Sequence, residues 1–202
     1  LIELYQTTFN SEYLKKAIKL NEQFIQLFWD DEDGGFYFTS ESAEKLLGRK
    51  KEIYDGAMPS SNSIAMMNLL RLGRIVGNTD WEQMADEAQK LFAKNMKKAP
   101  TGFGAALQSV DFTTGTSQEI IIAGNKQDSD TKQMLQHLKQ PFLPRAVQIL
   151  NDPEDNSIRE LAPYLSDYEM IDGSTTAYVC QNYSCELPTN DPEKMMDLVN
   201  DR

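Results

Sequence analysis

Asn78-Thr79-Asp80-Trp81-Glu82-Gln83-Met84-Ala85-Asp86-Glu87-Ala88-Gln89-Lys90-Leu91-Phe92 places its apolar residues at Trp81, Met84, Ala85, Ala88, Leu91 and Phe92. That is the three- and four-residue spacing of a helix with one buried face, and it predicts a helix over 80–96. Thr79 and Glu82 read as a capping box for the first-turn N–H groups. Sixty-eight residues upstream, Asn10-Ser11-Glu12-Tyr13 opens a similar stretch, with Leu14, Ala17, Ile18, Phe24, Ile25 and Phe28 on one face. At this offset Leu1, Leu4, Asn10, Ala17 and Phe24 fall on Leu69, Leu72, Asn78, Ala85 and Phe92. Residues 62–76, with Ala65, Leu69, Leu72 and Val76, complete the second unit. Each unit reads as a helix, a short turn at Asn and a capped helix with an aromatic in its first turn. Such hairpins cannot bury their faces alone, so they stack into solenoids or close into toroids. The opening Leu1-Ile2-Glu3-Leu4-Tyr5 has no capping residue and reads as a cut through a helix.

Outward from the repeats, the connection from Asp30 to Ser61 is long enough to suggest a functional loop. Gly35-Phe36-Tyr37-Phe38-Thr39 and Ile53-Tyr54 carry strand signals, so a small hairpin is expected there. From about residue 115 the pattern changes. Strands are expected at Glu119–Gly124, Ala146–Leu150 and Thr175–Cys180, with helices at Asp128–Lys139, over 157–165, and from Asp191 with Pro192 in its first turn. Strand–helix alternation implies parallel pairing. The fold class is therefore α+β: αα-hairpin repeats over 1–114 with an inserted β-hairpin, then a small α/β unit over 115–202 with a three-stranded, mainly parallel sheet.

Composition limits the function. The 202 residues carry 20 Lys+Arg against 31 Asp+Glu, a net charge of −11. That balance argues against nucleic acid and anionic membrane surfaces as partners. No apolar run approaches the roughly 20 residues of a membrane span. A cytoplasmic protein is the expectation, and no cofactor is implied. Residues 151–172 hold seven Asp/Glu against Arg159 alone, which reads as a solvated face.

Glu52-Ile53-Tyr54-Asp55-Gly56-Ala57-Met58-Pro59-Ser60-Ser61-Asn62-Ser63 is the richest stretch. It gathers two carboxylates, a phenol, an amide and three hydroxyls at the run-in to a helix, whose N-terminus adds unpaired N–H donors. Tyr54, Asp55, Ser60 and Asn62 are the candidate ligand-binding residues. Glycoside chemistry needs two flanking carboxylates, and Asp55, Glu52 and Asp33 are the candidates for that pair. The plainer alternative is that Ser60, Ser61 or Asn62 caps the helix and Asp55-Gly56 is a turn. The acidic run Asp30-Asp31-Glu32-Asp33-Gly34-Gly35 fits no EF-hand register, so no metal site is assigned. Gly124-Asn125-Lys126 lacks the dinucleotide-binding glycine spacing. Cys180 and Cys185 miss the Cys-x-x-Cys spacing and have no nearby His; free thiols are expected, with a redox-sensitive pair as the alternative. His137 is expected on a solvated helix face.

Three ordered motifs carry a family resemblance. They are Phe28-Trp29-Asp30-x-Glu32-x-Gly34-Gly35-Phe36-Tyr37-Phe38-Thr39, Lys51-Glu52-x-Tyr54-Asp55-Gly56-Ala57-x-Pro59-Ser60-x-Asn62-Ser63, and Thr176-Ala177-Tyr178-Val179-Cys180-Gln181-Asn182. Together they resemble the thioredoxin-domain protein family that includes spermatogenesis-associated protein 20 and many bacterial and archaeal proteins. The resemblance implies the C-terminal part of such a protein: the last hairpins of an (α/α)6 toroid of six-hairpin-glycosidase type, plus the α/β unit. It implies an N-terminal thioredoxin-like domain as intramolecular partner and supplies no catalytic residue. Two functions are then in view. One is a loop that binds or processes a glycan or similar polar small molecule. The other is a non-catalytic scaffold that packs on the thioredoxin-like domain and mediates protein interactions.

Overall fold

The computed structural model describes residues 1–40, 42–43, 48–181 and 184–200. Two helical hairpins come first: α1 (Ile2–Thr8) with α2 (Ser11–Phe28), and α3 (Ser61–Val76) with α4 (Thr79–Lys98). Both turn in the same way. Phe9 and Gly77 each take a left-handed backbone, at φ 50° and 72°, and an Asn follows. Asn10 Oδ1 accepts from the Glu12 N–H at 3.0 Å; Asn78 Oδ1 accepts from Asp80 and Trp81 at 3.1 and 3.2 Å. The cap of α4 is thus Asn78 and not the Thr79/Glu82 box, because the Asn amide already meets two first-turn donors. Glu82 is turned instead to the Arg74 guanidinium, 2.8 Å away.

No hairpin forms in the connection between α2 and α3 among its described residues. Its only ladder contact there is a bridge between Trp29 and Phe36. The strand signal of residues 35–39 reports burial instead: Phe36 is fully buried, with its ring 4.6 Å from Phe24 and 5.0 Å from Trp29. Beyond α4, α5 (Gly104–Thr114) lies against α3 and α4.

The sheet has four strands in the order β2-β1-β3-β4: β1 Gln118–Ala123, β2 Ala146–Asn151, β3 Thr176–Gln181 and β4 Ser184–Cys185. β1 pairs in parallel with β2, across α6 (Ser129–Leu138). β3 runs antiparallel to β1, Gln118 opposite Gln181, and β4 antiparallel to β3. A mixed sheet therefore replaces the mainly parallel one expected. The reason lies between β2 and β3. After α7 (Asn156–Leu161) the chain breaks at Ala162-Pro163 into a 3₁₀ turn, and Asn151, the last residue of β2, donates to the Leu165 and Tyr168 carbonyls at 2.8 and 2.6 Å. That holds the segment at the end where β2 finishes. A tight turn then closes with Ile171 paired to Ser174, through Asp172 and Gly173 at φ 53° and 70°, and β3 starts from the same end.

Every residue of β1 is buried, so both faces of the sheet are covered. α1 and α3 pack on β2, while α6 and α8 (Pro192–Asn200) pack on β1, β3 and each other. The apolar core runs without a break from Tyr5, Leu69 and Leu72 to Ile120, Ile149 and Val199. Among the described residues no helix is long and apolar enough to cross a membrane.

Candidate functional site

The run-in to α3 is built around Asp55. Its Oδ1 accepts from the Ser60 N–H at 2.8 Å, and its Oδ2 accepts from the Ala105 and Ala106 N–H groups at 2.8 and 3.1 Å. The last two are first-turn donors of α5, and Phe103 at its cap position supplies no side-chain cap. Asp55 is therefore an N-cap delivered from 50 residues upstream, favoured by the positive end of the helix dipole. Its N–H donates to the Gly102 carbonyl at 2.9 Å, closing the junction. Ser60 caps α3, its Oγ accepting from the Ser63 N–H at 3.1 Å and sharing a 2.8 Å hydrogen bond with the Ser63 hydroxyl.

Asn62, on the first turn of α3, is fully buried. Its Oδ1 accepts from the Phe36 N–H at 2.7 Å, and its Nδ2 donates to the Phe36 and Glu52 carbonyls, both at 2.8 Å. One amide thus ties two sequence motifs together through three orphan backbone groups. The neighbouring Gly35 favours glycine, because its φ of +75° is a left-handed backbone that L side chains rarely adopt.

The other candidates do not join this cluster. Asp33 and Glu52 have exposed side chains, and among the described residues no hydrogen bond or ion pair links either to Asp55. Tyr54 is 68% exposed, edge-on to Phe103 with ring centres 6.2 Å apart. Asp55, Ser60 and Asn62 are brought together, but their polar atoms are engaged by backbone groups and, at Ser60, also by the Ser63 hydroxyl. What they build is a joint between α3, α5 and the loop.

A second polar cluster is centred on Asp30, which the sequence shows only as one member of an acidic run and a motif. Asp30 is buried at the end of α2, and its Oδ2 meets Lys51 Nζ at 2.5 Å and the Tyr37 hydroxyl at 2.7 Å. Its Oδ1 accepts from the Glu32 N–H at 3.0 Å. The Lys51 ammonium, with the Tyr37 hydroxyl and this N–H, holds the carboxyl well below the usual carboxylate range against its burial. Asp30 in turn pushes the Tyr37 phenol up. Lys51 also donates to the Gly34 carbonyl at 2.6 Å, and Arg49 lies over the Tyr37 ring at 3.9 Å. The signal was present in the first motif, but an acidic turn hides which of its carboxylates is buried.

In the α/β unit, Glu119 of β1 is buried against Arg74, which also meets Glu82. Burial pushes the Glu119 carboxyl up, and Arg74 offsets that only in part. Cys180 and Cys185 form a disulfide, which corrects the expectation of free thiols. The cause is the short β4, absent from the sequence reading, which sets Cys185 directly opposite Cys180. His137 is half-buried on α6. Asn182, the last residue of the third motif, lies outside the described residues.

The class defined by this geometry is a pair of helical hairpins, linked to each other by a backbone-clamped loop, followed through α5 by a mixed-sheet α/β unit. The chain is homologous to a stretch of spermatogenesis-associated protein 20: it is 35% identical over 204 aligned positions to the Homo sapiens protein, covering 98% of this chain and 26% of that one. The Rattus norvegicus protein is 33% identical over 203 positions, with the same shares. An uncharacterised Caenorhabditis elegans protein is 24% identical over 201 positions, covering 99% of this chain and 27% of its own length. The chain thus spans about a quarter of the length of the curated relatives it matches. No protein-family model matches it.

Proposed function

We propose that this chain is a non-catalytic scaffold within a longer polypeptide, and that the loop before α3 is a joint and a contact surface rather than a reaction centre. One observation carries the reading: both oxygens of Asp55 accept backbone N–H groups, at 2.8, 2.8 and 3.1 Å. A general acid or nucleophile needs an oxygen free to reach the substrate. The same segment turns Tyr54 and Met58 outward, 68% and 80% exposed, the kind of side chains that anchor protein contacts. The partner favoured by the family resemblance is a thioredoxin-like domain of the same polypeptide.

Two measurements test this. A panel of mono- and oligosaccharides is expected to leave the melting temperature within about 1 °C, since only a ligand bound by the native state raises it. Calorimetric titration with the thioredoxin-like domain is expected to show binding that Tyr54→Ser with Met58→Ser weakens about tenfold. A sugar that raises the melting temperature of the wild type but not of Tyr54→Ser would overturn the proposal in favour of a glycan site.

A further inference from the structure

The two helical hairpins share a turn but not a packing. Along α4, Ala88, Phe92 and Met96 are buried in one cluster with Met66, from the first two turns of α3. Sixty-eight residues upstream the equivalent positions of α2 are Leu20, Phe24 and Phe28. There Leu20 is 55% exposed where Ala88 is fully buried. Leu20 and Phe24 line an open groove of about 600 Å³ whose far wall is Ile64, Ala65 and Asn68 of α3. Leu1 and Ile2 of α1, which packs on both α2 and α3, line it too.

A polar atom in this groove points the same way. Asn21 is only 8% exposed, and among the described residues its Nδ2 has no hydrogen-bond partner. Its counterpart Gln89 is equally buried, but there a further helix, α5, satisfies the amide: Nε2 donates to Ser109 Oγ at 3.2 Å and Oε1 accepts from Thr113 Oγ1 at 3.2 Å. Buried amides are nearly always satisfied, so Asn21 marks a place where an acceptor belongs.

We propose that this groove seats one more amphipathic helix, supplied by the part of the longer polypeptide that the relatives possess beyond the matched quarter. It lies along α2 in the groove, opposite Ile64 and Asn68 of α3. Its apolar face covers Leu20, Phe24 and Ile64, and a carbonyl or hydroxyl on it accepts from Asn21 Nδ2. The proposal rests on the reading that this chain is part of a longer polypeptide, and not on the role assigned to the loop.

The test compares the 202-residue chain with a polypeptide of the relatives' length. Leu20→Cys and, as reference, the exposed Lys19→Cys are labelled with a maleimide and read by mass spectrometry of the peptide that carries them. The expected result is equal labelling at both positions in the short chain, and labelling at position 20 slowed about tenfold or more in the long one. Equal labelling in both polypeptides overturns the proposal. So does protection in the short chain together with a dimer on light scattering, because a second copy then fills the groove. Asn21→Leu adds a sign: it is expected to raise the melting temperature of the short chain and lower that of the long one. A rise in both overturns the proposal.

Discussion

Two buried carboxylates, one in each half of the molecule, are handled in opposite ways. Asp30 sits where α2 gives way to the loop and has a donor on every side: an ammonium, a phenol and a backbone N–H. Glu119 sits in the middle of a sheet, where its strand's N–H and C=O groups are committed to β2 and β3, and it meets a guanidinium that Glu82 also uses. The first carboxyl is held below its ordinary range and the second is pushed above it. Where the fold is a loop, side chains serve the backbone and charge is welcome, because orphan N–H groups need acceptors. In the sheet the backbone has already satisfied itself, and a charge is carried against burial.

The sharpest way to break that contrast is to remove the side chains on which the loop depends. Asn62→Ala strands the Phe36 N–H and two carbonyls in a buried place. The expected loss is about 3–4 kcal/mol, from an unsatisfied-group penalty of about 1–3 kcal/mol each, partly relieved by water. At about 2–4 °C per kcal/mol for a chain of this size, thermal melting should fall by about 6–16 °C. Asp55→Ala uncaps α5 and frees the Ser60 N–H, for an expected loss of about 2–3 kcal/mol. Asp55→Asn should recover part of this, since its amide oxygen still accepts. If Asp55→Ala melts like the wild type, the loop is not clamped and the comparison between the halves fails.

These long-range bonds are also why the halves differ in legibility. Ile120, Ile121 and Ile122 announce a strand buried on both faces, and the spacing from Leu14 to Phe28 announces a helix, because that information is local. Ser60 was among the readable caps for the same reason. α5 gave no such signal, since the acceptor for its first turn is Asp55, 50 residues away. Of the four candidate binding residues, Asp55, Ser60 and Asn62 lie together at the start of α3, while Tyr54 is exposed. Their partners, backbone groups together with the Ser63 hydroxyl, are not legible in local sequence. The direction of β3 depends on Asn151 holding residues 165 and 168, and the Cys180–Cys185 bond on a two-residue strand. Neither is a matter of periodicity.

The contrast between the carboxylates can be sharpened by titration. Asp30 has a folded-state pKa below its unfolded value of about 3.9, so its stabilisation is complete above that value. It is lost as the pH falls through the folded value. Asp30→Asn should therefore cost about 2 kcal/mol near pH 7, the range for hydrogen bonds to a charged group, and progressively less below pH 4. Urea denaturation at several pH values measures this. A constant difference from pH 7 down to pH 2 would remove the Asp30–Lys51 pair from the account.

Glu119 gives the smallest effect and the opposite slope. Its folded-state pKa lies above the unfolded value of about 4.3, so its contribution is fully present below that value and is lost as the pH rises through the folded one. Gln cannot ionise, and its carbonyl still accepts from Arg74. Relative to wild type, Glu119→Gln should therefore gain as the pH rises from 4 to 7, while Asp30→Asn stays level over that interval and loses only as the pH rises towards 4 from below. The net change near pH 7 is expected within about 1 kcal/mol of zero, because a neutral acceptor escapes the desolvation of a charge but gives up the attraction of Arg74. If the two variants instead diverge from wild type in the same direction with pH, the guanidinium outweighs burial at Glu119, and the sheet treats charge as the loop does.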